Sequence, residues 1–213
     1  MPISRMKSAP HYTPQKCCVF ALCLLLTAPP ACAQPIGKSY FPLTDGSRWD
    51  YTGRFSSAGG REFGIRATAR VDGETLIDGK KYFKFVVASD FSGIPEIGRR
   101  IEEVRYYRYG EDGLYFRRAD EPDKADRLEL PLLVSAGVKW LSGTTEVQAE
   151  RAGTISAGGR TYRNCLKVIY RGPDGARSTE NYYAPGVGVV KTVYVNITEP
   201  KSVIELTLDR YEQ

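Results

Sequence analysis

Apolar and polar residues alternate one for one in segment after segment of this chain, a period that suits half-buried β-strands and not helices. Ile65, Ala67, Ala69 and Val71 alternate with Arg66, Thr68 and Arg70, and Ile204, Leu206 and Leu208 alternate with Glu205, Thr207 and Asp209. Strand-like runs also occupy 82–87, 104–109, 114–117, 162–170 and 189–197. Turn formers divide these runs: Asp72-Gly73, Asp78-Gly79, Asp112-Gly113, Gly158-Gly159, Pro173-Asp174-Gly175 and Glu199-Pro200. No stretch sustains a helical period. Residues 120–128 are the single place for a short helix, and their charge favours a surface loop.

The two halves of the chain echo one another. Phe41-Pro42-Leu43 followed by Gly46, Trp49 and Gly53 is answered by Leu130-Pro131-Leu132 followed by Gly137, Trp140 and Gly143. Further along, Gly79-Lys80-Lys81-Tyr82 is answered by Gly159-Arg160-Thr161-Tyr162, and Tyr106-Tyr107 with Gly110 and Gly113 by Tyr182-Tyr183 with Gly186 and Gly188. These anchors predict two tandem β-meanders, about 40–118 and 128–195, with a closing strand at 203–211. One meander alone leaves an apolar face and two edges open, so the copies are expected to share one core. The expected fold is all-β and antiparallel, a barrel or strongly curved sheet forming a single domain over 34–213.

The first 33 residues read as an export signal. Arg5, Lys7 and Lys16 give a basic start without an acid, and the apolar run 17–26 is too short to span a bilayer, which takes about 20 residues. Ala28-Pro29-Pro30 breaks it, and Ala31-Cys32-Ala33 offers small residues for cleavage before Gln34. Translation from Met6 would shorten the leader. The rival is lipidation of Cys32, but Pro29 stands where a lipobox normally has Leu. The expected location is periplasmic or secreted, with no transmembrane segment in the mature chain.

Composition then removes whole classes of function. The leader holds three of the 30 basic residues and none of the 25 acidic ones, so the mature chain carries only +2 and nucleic-acid binding loses its support. It also holds the single His and four of the five Cys. A mature chain without His lacks the general base of hydrolytic triads, and Cys165 alone can build neither a disulfide nor a cysteine zinc site. No cofactor or metal is expected. Asp120, Glu121, Asp123 and Asp126 lack calcium-loop spacing and read as a solvated loop. Glu102 and Glu103, adjacent on a strand, point to opposite faces and read as solvated charges. Gly186-Val187-Gly188 precedes a strand rather than a helix, so it reads as a turn and not a phosphate loop. Alternation sets Cys165 beside Arg163 and Lys167, opposite Leu166 and Val168: a packing residue, or a thiol activated by the two cations.

Tyr40-Phe41-Pro42-Leu43 with Gly46 and Trp49-Asp50-Tyr51, Asn164–Val168, and above all Tyr182–Lys191 (YYAPGVGVVK) make the chain resemble a group of exported bacterial β-proteins and lipoproteins of unassigned function. The resemblance spans nearly the whole mature chain and implies an envelope location and an all-β fold. It brings no catalytic residue with it.

The candidate contact residues are aromatic and cationic: Trp49, Trp140, Arg105, Tyr107, Arg108 and Tyr109. Each Trp is expected as a core anchor or, more sharply, as a platform on which a ligand stacks. The Arg/Tyr run is expected either as cross-strand pairing on a solvated face or as a surface for a partner. The functional expectation is a non-catalytic envelope protein holding a lipid-like or amphipathic ligand. The alternative is a structural or interaction module that meets an envelope protein through the Arg/Tyr surface. An enzyme would need paired carboxylates in one cleft.

Overall fold

The computed structural model describes residues 39–95, 97–121 and 125–213; the leader with Cys32, and Asp123 of the acidic loop, lie outside them. The strands are β1 (Arg48–Ser57), β2 (Glu62–Ile77), β3 (Lys80–Asp90), β4 (Arg100–Tyr109), β5 (Gly113–Arg118), β6 (Arg127–Pro131), β7 (Lys139–Ser142), β8 (Thr145–Ala157), β9 (Arg160–Arg171), β10 (Arg177–Ala184), β11 (Gly188–Asn196) and β12 (Ser202–Glu212). They form one antiparallel sheet in the order β6-β5-β4-β3-β2-β1-β12-β11-β10-β9-β8-β7. The sheet curls into a nearly closed barrel, as the alternation requires of a chain with one apolar face per strand.

Hairpins account for every strand pairing except one. The pairing of β1 with β12 is the non-local step, joining the two ends of the described chain from Arg48↔Glu212 to Ser57↔Ser202. Their backbones approach so closely at Gly53 that a Cβ there would overlap the Glu205 carbonyl, which is why a strand interior tolerates glycine at this point. The free edges are the short strands β6 and β7, and the Trp140 indole N–H crosses between them to the Leu128 carbonyl at 3.3 Å. Segment 127–131 hydrogen-bonds to β5. The residues read from sequence as opening the second copy therefore close the first meander, and no helix forms at Arg127 or Leu128. Trp49 and Trp140 lie on β1 and β7, Tyr82 and Tyr162 on β3 and β9, and Tyr106 and Tyr182 on β4 and β10.

The inner face carries the main core. Trp49, 2% exposed, stacks on Tyr211 at 5.2 Å and packs against Phe85 at 5.6 Å, while its indole N–H donates to the Val187 carbonyl at 2.6 Å. That carbonyl belongs to the β10–β11 turn, where Gly186 and Gly188 take φ of 74° and 98°, so the glycines serve a turn as their position implied. The segment before β1 closes one end of the barrel. Phe41 inserts among Tyr107, Phe85 and Tyr183 at 5.0, 5.4 and 6.2 Å. The Tyr109 hydroxyl donates to the Phe41 carbonyl at 2.6 Å and accepts from the Leu43 N–H at 3.2 Å. Towards the other end of β1 a second cluster forms from Phe55, Ile65, Phe91 and Ile94, which lays the β3–β4 loop against the inner face.

Two local features depart from simple alternation. Register shifts flank Gly153 opposite Cys165, and Asn164 takes a positive φ of 56°. The resulting bulge turns Cys165 and Leu166 into the same core, 3% and 6% exposed. Cys165 is thus not ranged with Arg163 and Lys167. Burial pushes its thiol pKa up, so the packing role replaces the reactive one. On the outer face Asp126 is not a solvated loop residue either. It accepts from Arg117 Nε at 2.7 Å, Arg108 Nε at 2.6 Å and the Tyr82 hydroxyl at 2.8 Å. Burial alone would raise its pKa, but the hydrogen bonds from Arg117, Tyr82 and Arg108 outweigh it and hold the carboxyl below the usual Asp value.

Candidate ligand cavity

Closing the sheet around large aromatics does not fill it. A cavity of about 620 Å³ remains inside the barrel. Its apolar wall is built by inward positions of neighbouring strands: Trp49 on β1, Ala67 and Ala69 on β2, Phe85 and Val87 on β3, and Leu206 on β12. The two alanines matter because a larger residue at either would project into the space. Leu206 also touches the second aromatic cluster, so the apolar wall runs on toward the β3–β4 loop.

The opposite wall is polar and comes from β4, β6, β9 and β10. Glu103 and Arg105, two apart on β4, form a bidentate pair at 2.9 and 3.1 Å. Burial works against the charge of Arg105, but the Tyr107 hydroxyl and the Glu103 carboxylate outweigh it and raise its pKa further. Glu129, 4% exposed, accepts from the Tyr170 hydroxyl at 2.9 Å and the Tyr183 hydroxyl at 3.0 Å. Burial, reinforced by Glu129, holds both phenols far above the ordinary Tyr pKa, so they serve as neutral donors across the physiological range.

A bulge explains Glu129. Leu114 pairs with Leu130 and Tyr115 with Leu128, which leaves Glu129 as the extra residue on β6. Read by alternation, Leu128 and Leu130 share one face and Glu129 takes the other. In the barrel Arg127 and Glu129 line the cavity, while Leu130 is also fully buried. No residue type in the sequence announces that step.

Of the candidates singled out from sequence, the fold brings Trp49, Arg105 and Tyr107 together on the cavity wall. It sends the others elsewhere. Tyr109 is occupied by the Phe41–Leu43 segment. Trp140 holds the β6–β7 seam and borders a separate concavity of about 330 Å³ with Val147 and Arg171. Arg108 faces outward onto Asp126, with its guanidinium over the Tyr115 ring at 4.7 Å. The expected outer Arg/Tyr surface is thereby divided: Arg105 and Arg118 line the interior, and Arg108 and Arg117 are both tied to Asp126. Glu103, read as solvated, lines the cavity. Sequence reasoning missed Glu129, Ser142 and Tyr170 altogether.

No helix among the described residues is long and apolar enough to cross a membrane. No family model matches the chain, and no curated protein matches it. Among solved structures it is similar to a protein described as exported, with a YmcC-like fold, from Bacteroides fragilis, at 12% identity and a TM-score of 0.48 over 82% of this chain and 99% of that one. It is also similar to a protein described as a lipoprotein from Parabacteroides distasonis, at 16% identity and a TM-score of 0.44 over 82% and 99% of the two chains. A LolA superfamily protein from Nitrosomonas europaea is similar at 11% identity and a TM-score of 0.36 over 84% and 90%.

Proposed function

We propose that this chain is an exported, non-catalytic binding protein that carries an amphipathic, lipid-like ligand inside its barrel. The observation behind this reading is the cavity of about 620 Å³ with an apolar wall on one side and a polar wall on the other. Small-molecule sites commonly measure about 300–1,000 Å³ and are mostly apolar with a few placed polar groups. A methylene chain moved from water to the Trp49–Leu206 wall gains about 0.8 kcal/mol per buried CH₂, and the head group then meets hydrogen-bonding partners instead of hydrocarbon. The non-catalytic part rests on the carboxylates. Both oxygens of Glu103 are engaged by Arg105, which leaves Glu129 without a second free carboxylate of the kind paired-acid hydrolysis uses.

Native mass spectrometry of the protein purified from its own envelope tests the reading. A bound small amphiphile is the expected result, and an Ala67→Phe variant, with a phenyl ring in the cavity, should fold but come out empty. Bare wild-type protein under the same conditions would overturn the carrier assignment. Export is tested by intact mass: a chain beginning at Gln34 is expected in the soluble envelope fraction. A lipid adduct on Cys32 in the membrane fraction would contradict that.

A further inference from the structure

Resting on the cavity being a ligand site, we infer that the head group it selects is uncharged and hydroxyl-bearing, of the acylglycerol or glycolipid class. Arginines on a cavity wall ordinarily point to an anionic head, but here Arg105, Arg118 and Arg127 are already matched. Arg105 holds Glu103 at 2.9 Å, Arg118 holds Asp120 at 2.8 Å, and Arg127 holds Glu121. A carboxylate or phosphate head would meet guanidiniums whose charge a protein carboxylate already balances, and it gains less there than at an unpaired arginine. Arg177 lines the same space but stands exposed, where water and salt screen it.

The group on this wall that is short of a donor is Glu129. Glu129 Oε1 takes both tyrosine hydroxyls, and Oε2 has no hydrogen-bond partner among the described residues. The residue is only 4% exposed. Glu129 lines the cavity, so a ligand O–H that takes the place of water at Oε2 gains a charge-assisted bond. Ser142 on β7 is 5% exposed on the same cavity, and its hydroxyl, which makes no bond to a described residue, can both donate to and accept from a ligand hydroxyl. The other polar lining is neutral, from Thr145, Thr179, Asn181 and Thr192. An ammonium head would also satisfy Glu129, but it would enter the field of Arg105, which already acts on that carboxylate. A hydroxyl supplies the donor without that repulsion.

The test is a titration of the full chain with probes sharing one saturated chain: monolauroylglycerol, dodecyl maltoside, laurate and dodecylammonium, each below its micelle concentration. At least one of the two neutral hydroxylated probes should bind about tenfold tighter than laurate and dodecylammonium, and which of them does so separates a glycerol from a sugar head. Glu129→Gln should cut that affinity by about tenfold while laurate changes by less than about twofold; Ser142→Ala, a milder change, should lower it by about threefold. Laurate or dodecylammonium binding as tightly as both neutral probes, or a preference untouched by both variants, overturns the head-group inference and leaves the carrier reading standing. Failure of all four probes to bind overturns both.

Discussion

Trp49→Ala should lower the unfolding free energy by about 4 kcal/mol, within the range for deleting a large buried aromatic. The side chain is 2% exposed, stacks on Tyr211 and packs on Phe85, and its N–H is the donor for the Val187 carbonyl. Its loss opens space beside an existing cavity and orphans a carbonyl in the turn that holds β10 to β11. Trp140→Ala should cost about 1–2 kcal/mol, because that indole is only half-buried and its bond to Leu128 is longer, at 3.3 Å. Urea unfolding of both variants, followed by tyrosine fluorescence and far-ultraviolet dichroism, checks the ordering. Equal losses would show that the seam matters as much as the core. Trp49 lines the ligand space as well, so Trp49→Phe is the variant with which to separate stability from binding.

Asp126→Asn should cost about 3 kcal/mol and alter the acid limb of the stability profile. The Asp126 side chain is 9% exposed and those of Arg108 and Arg117 are 19% and 13%, so the amide would leave two enclosed guanidiniums short of their counter-charge. Removing one partner from a buried ionic group is strongly destabilising even where the intact group adds little. Because the folded Asp126 pKa lies below its unfolded value, the unfolded chain takes up the proton first as pH falls. The contribution is therefore complete above the unfolded Asp pKa, about 3.9, and drains away as pH falls through the lower folded value. Wild type and Asp126→Asn should differ fully at pH 6 and converge in acid. A gap that persists unchanged below about pH 3 would mean that packing, and not charge, holds β6 against the outer face.

The strands were legible from local chemistry, and the cavity was not. Period-two alternation and the Asp-Gly and Gly-Gly turns are written within a few residues of one another, so Ile65–Val71 and Ile204–Leu208 declare strands whatever the rest of the chain does. Composition likewise leaves residues 34–213 without a His and with a single Cys, too few for a histidine triad or a cysteine metal site, without reference to a fold. Alternation places Arg105 and Tyr107 on one face and Arg108 on the other, but it is silent about which face curls inward. That was decided by the β1–β12 pairing, a contact between chain ends that leaves no local trace. The bulges at Glu129 and near Asn164 are likewise tertiary. Each inserts residues that reverse the phase of the pattern, and no residue type marks Glu129 as the extra one. The sequence by itself determined an all-β, antiparallel chain, because its alternation and turn signals are local. Only the closed barrel decided that Glu103, Arg105 and Glu129 share an interior with Trp49, because the side of a strand that is inside is a property of the whole sheet.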